Sequence, residues 1–219
     1  MRSSKGAALA PLTGIVAVGL LIAGLILSSK SPDTREGGQK ILDFYVDNDS
    51  EQTASAILLT YGSLFLALFA GALRSGLRRG QNDVEGPATL AFGGGLVMAV
   101  GPLILAGATL ALTQNSDTLD PSAAEAINAL NDGIWITPFL VGQSVLLLAS
   151  GVAILRGGAL PSWLGWVAVV LGVVSATPAS LLAFDVTLLW IAVVAIMLSR
   201  RASAPAGDQA PTAAPAAPS

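Results

Sequence analysis

Four apolar stretches without a single charge constrain this chain more than any other feature: approximately Leu9–Ser28, Ala54–Leu73, Ala88–Leu112 and Ile134–Leu155. Each has the roughly 20 residues that a helix rising about 1.5 Å per residue needs to cross a hydrocarbon core about 30 Å thick. In lipid a helix satisfies its own backbone polar groups, so such segments fold as spans. Composition agrees with this. Of the 219 residues, 53% are hydrophobic and 11% charged, against about a quarter charged in soluble domains. That leaves too little polar surface to coat a water-soluble globule. The expected fold class is all-α, a polytopic membrane helical bundle.

The last hydrophobic block, Ser162 to Ser199, would measure about 57 Å as helix, against about 60 Å for two crossings. Pro178 offers a break, since it lacks an N–H and disfavours helix at Thr177. The reading is two short spans near 162–179 and 182–199, which makes six in all with those at 9–28, 54–73, 88–112 and 134–155.

Charge supports this count. Cytoplasmic loops carry an excess of Lys and Arg. With the N-terminus inside, the inner segments hold eight such residues: Arg2, Lys5, Arg74, Arg78, Arg79, Arg156, Arg200 and Arg201. The outer segments hold three, Lys30, Arg35 and Lys40, in a loop that also carries six acids. Reversing the chain or dropping a span spoils the pattern. The expectation is a multi-pass plasma-membrane protein with both termini cytoplasmic. The first span is read as retained, because its apolar run exceeds the usual 7–15 residues of a signal peptide and no A-x-A-like site follows. Residues 1–201 form the transmembrane domain; 202–219, with Pro205, Pro211, Pro215 and Pro218, are read as a disordered Ala/Pro-rich tail.

Two outer loops carry shape. In the first, Ile41, Leu42, Phe44, Tyr45 and Val46 cover one side of a helical wheel, opposite Lys40, Asp43 and Asp47. In the second, Asp120 can cap, Pro121 suits the first helical position and Gly133 suits a stop. Its Ala123, Ala126, Ile127 and Leu130 face one way, and Glu125, Asn128 and Asp132 the other. Two short amphipathic helices on one side suggest an outer lid, with Ile41, Leu42, Tyr45, Ile127 and Leu130 as its inward-facing side chains, lying across the ends of the bundle.

Chemistry is sparse. The chain has no Cys and no His, which removes thiol nucleophiles, disulfides and histidine-based acid/base or zinc chemistry. A net charge of −3 argues against nucleic acid as a partner. Asp47, Asp49 and Glu51 alternate as in a calcium loop, but Gln52 and Leu58 stand where that motif needs Gly and Glu. Asp49 is read instead as the cap of the second span, with Gln52 as its capping-box partner. Gln143, mid-span with Ser144 beside it, is the candidate interior polar contact, expected to bond to another helix. Asp185 is expected to sit near the outer start of the last span and to act there as a cap. Small residues recur every fourth position, at Ala91, Gly95 and Ala99 and at Ala168, Gly172 and Ala176, and imply close helix packing. Trp135, Trp163 and Trp166 fall where an aromatic belt belongs.

The Ile41–Tyr45 stretch, the Ala72-Leu73-Arg74 and Leu77-Arg78-Arg79 exit of the second span, and Leu160-Pro161-Ser162-Trp163-Leu164-Gly165-Trp166 carry a resemblance. Over roughly residues 10–200 the chain is similar to small uncharacterised six-span integral membrane proteins of the actinobacterial type. That resemblance implies a plasma-membrane location and brings no catalytic residue with it.

The expected function is therefore non-enzymatic: an accessory or structural membrane protein that packs with itself or a membrane partner in the lipid bilayer and needs no cofactor. The alternative is a small transporter or channel-like protein that uses the bundle interior near Gln143.

Overall fold

The computed structural model describes residues 9–33, 36–80, 82–177 and 180–203. Arg2, Lys5, Arg35, Pro178 and the tail from 204 onward lie outside the described residues. After a 3-10 turn at Ala10–Leu12 come helices α1 (Thr13–Ser28), α2 (Gly38–Asp47), α3 (Asp49–Leu77) and α4 (Glu85–Asn115). They are followed by α5 (Pro121–Ile134), α6 (Ile136–Gly157), α7 (Ser162–Ser175) and α8 (Ser180–Ser203). Among the described residues five runs are long and apolar enough to cross a membrane: Ala10–Ser28, Asp49–Leu77, Glu85–Asn115, Pro121–Gly157 and Ala183–Ser203. The fold is that of a multi-pass helical membrane protein. α7 is apolar but has only 14 residues, about 21 Å of helix against a hydrocarbon core of about 30 Å.

α7 ends at Ser175, and the expected boundary at 179 lies outside the described residues. At its end Ala176 N–H bonds to Val173 O and Thr177 N–H to Val174 O, a tighter i−3 pattern. The Thr177 hydroxyl also turns back onto Val174 O at 2.7 Å. These bonds close the last turn before Pro178 is reached. α8 in turn runs to Ser203, past the boundary expected at 201.

Neighbours in the chain are mostly neighbours in space. α1 packs on α3, α3 on α4, α4 on α6, α6 on α7, α7 on α8, and α8 returns to α1, closing a circuit. Phe69, Leu73, Met98, Phe139, Leu146 and Ile191 belong to the buried cluster inside it. Between helices in lipid there is little hydrophobic drive, so close backbone approach matters more. A Cβ on Gly94 (α4) would lie 2.9 Å from Gly142 O, and one on Gly142 (α6) 2.6 Å from Gly94 O. Gly95 meets Ala70, and Gly172 meets Leu148, so both expected small-residue rows lie within the bundle at these glycines. Ala176, the last member of its row, is exposed. Large apolar side chains cover the outside instead: Leu90, Trp163, Trp166 and Leu189 are each more than half exposed, as a lipid-facing surface requires.

One end of the bundle gathers arginines. There Asn82 Nδ2 donates to Arg156 O at 2.5 Å, Arg201 donates to Ala159 O, and Arg74 pairs with Glu85 at 2.6 Å. The opposite, acidic end carries α2 and α5. Only Trp135 separates α5 from α6, and its backbone is itself helical (φ −68°, ψ −33°), so the two follow each other directly in one apolar run from Pro121 to Gly157. The interruption has a local cause: Pro138 has no N–H to give to Ile134 O. α5 ends at Ile134, one residue beyond the stop expected at Gly133.

Candidate functional site

The interior polar contact is built by α6 and α7. Gln143 is completely buried, and its Nε2 donates to Ser175 Oγ at 2.7 Å. Ser175 Oγ passes a bond of its own to Leu171 O at 2.8 Å. The Gln143 Oε1 has no hydrogen-bond partner among the described residues, nor have the buried hydroxyls of Thr109 and Ser150. Ser144 turns back to Leu140 O at 3.0 Å, so its hydroxyl is consumed by its own helix. Asp185 does not join them. It is exposed, and it lies well inside α8, which begins at Ser180. The orphan N–H groups that a cap serves belong to the first turn, so the expected capping role for Asp185 is not what the structure has.

The second candidate is a lobe at the acidic end. Ile41, Leu42 and Tyr45 of α2 are buried with Leu112 of α4 and Ala124 of α5, and Ile127 and Phe44 pack against them. Tyr45 Oη lies 3.3 Å from Ser31 Oγ. Gly38 N–H donates to Glu125 Oε1 at 2.6 Å, and Asn128 Nδ2 donates to Pro32 O at 3.1 Å. Lys30 pairs with Glu51 at 2.5 Å. Asp120 caps α5, its Oδ1 accepting from Ser122 N–H at 2.9 Å and from Ser122 Oγ at 2.6 Å. The side-chain bond, and after it the backbone one, holds the Asp120 carboxyl below its ordinary pKa.

The expected register of α5 is corrected here. Leu130 is 54% exposed, whereas Ala124, Asn128 and Asn131 are buried. The reason is the surface that α5 meets. Its partner is partly backbone, the Pro32 carbonyl and the Gly38 amide, so hydrogen-bonding side chains turn inward and Leu130 turns out. Ranking faces by hydrophobicity alone inverts that choice. The cap expected at Asp49 is also displaced. Asn48 occupies the cap position without a side-chain cap bond, and its Nδ2 closes α2 by donating to Phe44 O at 2.9 Å. Gln52 is drawn away into the contact with α1, its Nε2 donating to Leu27 O at 3.3 Å.

Several residues here carried no sequence signal. Asn131 is buried, its Oδ1 without a partner among the described residues, and it lines a cavity of about 270 Å³ with Ser28, Ser31, Leu105 and Trp135. Ser55 donates to Gly24 O at 2.8 Å across α1 and α3. Trp190 is buried, its Nε1 donating to Leu164 O at 3.2 Å. An i, i+3/i+4, i+7 spacing of Ala124, Asn128 and Asn131 was the one pattern that could have pointed to the buried face of α5. Among the described residues no group of three Asp, Glu, His or Cys is placed to hold a metal ion. No protein-family model, curated protein or solved structure matches this chain.

Proposed function

We propose that the protein is a six-span plasma-membrane protein, both termini cytoplasmic, with a non-enzymatic accessory role exerted by packing against itself or a membrane partner. In this reading α7 is a short crossing, the fifth of six. Positive charge on the arginine end supports its cytoplasmic placement, and the resemblance to small six-span actinobacterial membrane proteins points the same way.

The observation that carries the reading is the closure of the interior at Gln143. A carrier or channel of this size would use polar groups at mid-bundle that water and solute can reach. Here the one mid-span amide has no solvent exposure, is tied to Ser175, and sits on the helix whose glycine contacts bring α4 and α6 together. The acidic-end lobe, by contrast, presents a folded surface outside the apolar belt, suited to contact with a partner.

Because the chain contains no cysteine, Gln143→Cys introduces a unique thiol. The accessory reading expects it to stay unreactive toward a membrane-impermeant thiol reagent, both in intact cells and in inverted vesicles. Reaction from either side would reveal a water path and favour the transporter reading.

A further inference from the structure

We propose that the arginine end holds one anionic phospholipid, with its phosphate between Arg79 and Arg201 and an acyl chain in the groove beside α1 and α3. Two cavities, of about 540 and 360 Å³, meet there and share Gly76, Arg79 and Leu198. The larger is polar and is completed by Arg201 with the bare backbone of Gly80 and Gly158. The smaller is lined by Pro11, Leu68, Gly71 and Ala72 and is mostly apolar. A charged chamber that opens into an apolar groove is the negative image of a lipid headgroup and its tail.

Glu85 takes up Arg74 at 2.6 Å and also Arg78. Charge and cavity together single out this pair of arginines: among the described residues Arg79, Arg156, Arg200 and Arg201 have no carboxylate partner, and of these Arg79 and Arg201 line the two cavities. The Arg201 guanidinium is steadied by its bond to Ala159 O, which leaves its other N–H groups to bind a phosphate in fork geometry. Gly158 adopts φ 66° at the end of α6, a conformation that keeps a side chain out of the chamber floor. Leu68 lies about 13 Å along α3 from Leu77, close to the roughly 15 Å depth of one leaflet. The apolar groove favours a lipid over free phosphate, although both share the phosphate chemistry.

The inference rests on the membrane placement, and the test separates the two. The purified chain in phosphatidylcholine nanodiscs is compared with nanodiscs containing phosphatidylglycerol, and with phosphatidylcholine plus inorganic phosphate. Thermal unfolding and the number of lipids retained in native mass spectrometry are read. The expected result is a higher Tm and one retained phosphatidylglycerol, with affinity reduced roughly thirtyfold in Arg79→Gln/Arg201→Gln. Arg156→Gln/Arg200→Gln, the same change of charge outside the cavities, should keep the effect. Equal Tm in the two lipids, or equal loss in both double variants, overturns the site. Stabilisation by phosphate alone without a retained lipid reassigns it to a free anion and overturns the lipid. A chain that stays monodisperse without detergent or lipid overturns the membrane placement itself.

Discussion

The Gln143 side-chain amide donates to the Ser175 hydroxyl at 2.7 Å across α6 and α7, while the carbonyl of the same amide has no partner among the described residues. The contact is therefore asymmetric. Ser175 keeps its bond to Leu171 O whether or not Gln143 is present, but Gln143 depends on Ser175. Removing the serine hydroxyl strands a buried N–H group at a cost of about 1–3 kcal/mol. Removing the whole amide eliminates a group that was only half satisfied. Ser175→Ala should thus lower the thermal unfolding temperature in detergent, whereas Gln143→Leu should change it little or raise it. The opposite order would mean that the unpaired carbonyl has a partner in the membrane.

Adjacent glycines of α4 should behave in opposite ways. Gly94 lies against the α6 backbone at Gly142, whereas a Cβ at Gly93 would have no heavy atom within 4 Å. Gly94→Ala pushes a methyl into the α6 backbone at the Leu146 nitrogen and the Gly142 carbonyl and should cost about 1–3 kcal/mol of overpacking. Gly93→Ala gains helix propensity worth up to about 1 kcal/mol and meets nothing. Unfolding in a graded detergent series distinguishes them, and equal stability of the two variants would contradict the α4–α6 contact.

Why the spans were legible and the contacts were not follows from these same residues. A run such as Ala88–Leu112 is defined by length and absence of charge, properties that a single segment owns. Gly93, Gly94 and Gly95 are identical in sequence, yet one faces open space, one a backbone and one the Ala70 side chain. Only the partner helix makes them different. α5 teaches the same lesson for polarity: Asn128 and Asn131 look like a solvated face until the Pro32 carbonyl and the cavity beside Trp135 are placed next to them. The α2 face was readable at Ile41, Leu42 and Tyr45 because their partners, Leu112 and Ala124, are apolar as hydropathy assumes, whereas Val46, expected on the same face, is 49% exposed.

Asp120 supplies a pH dependence with a definite sign. Its folded-state pKa lies below the ordinary one, through the bonds to Ser122. The contribution of the cap is thus fully present above the ordinary aspartate pKa and is lost as pH falls through the lower folded value. Amide hydrogen exchange in α5 should accelerate over that acidic window in the native chain. In Asp120→Asn, which cannot titrate but can still accept the bonds, the acceleration attributable to the cap should be absent. Identical acid profiles would mean that the cap does not hold the start of α5.

Single cysteines test the orientation. Placed at Ser31 or Ser116 they should label from outside intact cells, and at Ser75 they should label only after the membrane is opened. Ser75 lies on α3 among the residues of the arginine end, whereas Ser31 neighbours Tyr45 in the acidic-end lobe. Labelling of Ser75→Cys in intact cells would reverse or abolish the proposed topology.

The acidic-end lobe should yield to a single inward charge. Leu42 is 5% exposed and shares its cluster with Ile41, Tyr45, Leu112 and Ala124, so α2 is held by packing rather than by its own length. A ten-residue helix is marginal alone, and burial of one large apolar side chain is worth about 1.5–3 kcal/mol. Leu42→Asp replaces that contribution with an unpaired buried carboxylate and should release α2 from α4 and α5. Asp43→Ala removes an exposed carboxylate whose nearest bond is to Gln39 at 2.9 Å, and Leu130→Ala trims a side chain that already points outward. External protease should therefore cut Leu42→Asp between α1 and α3 well before the native chain, while the other two variants resist as the native chain does. If Leu130→Ala opens the lobe as readily as Leu42→Asp, the buried face of α5 is the one that hydrophobicity suggested, and the inward turn of Asn128 and Asn131 is wrong.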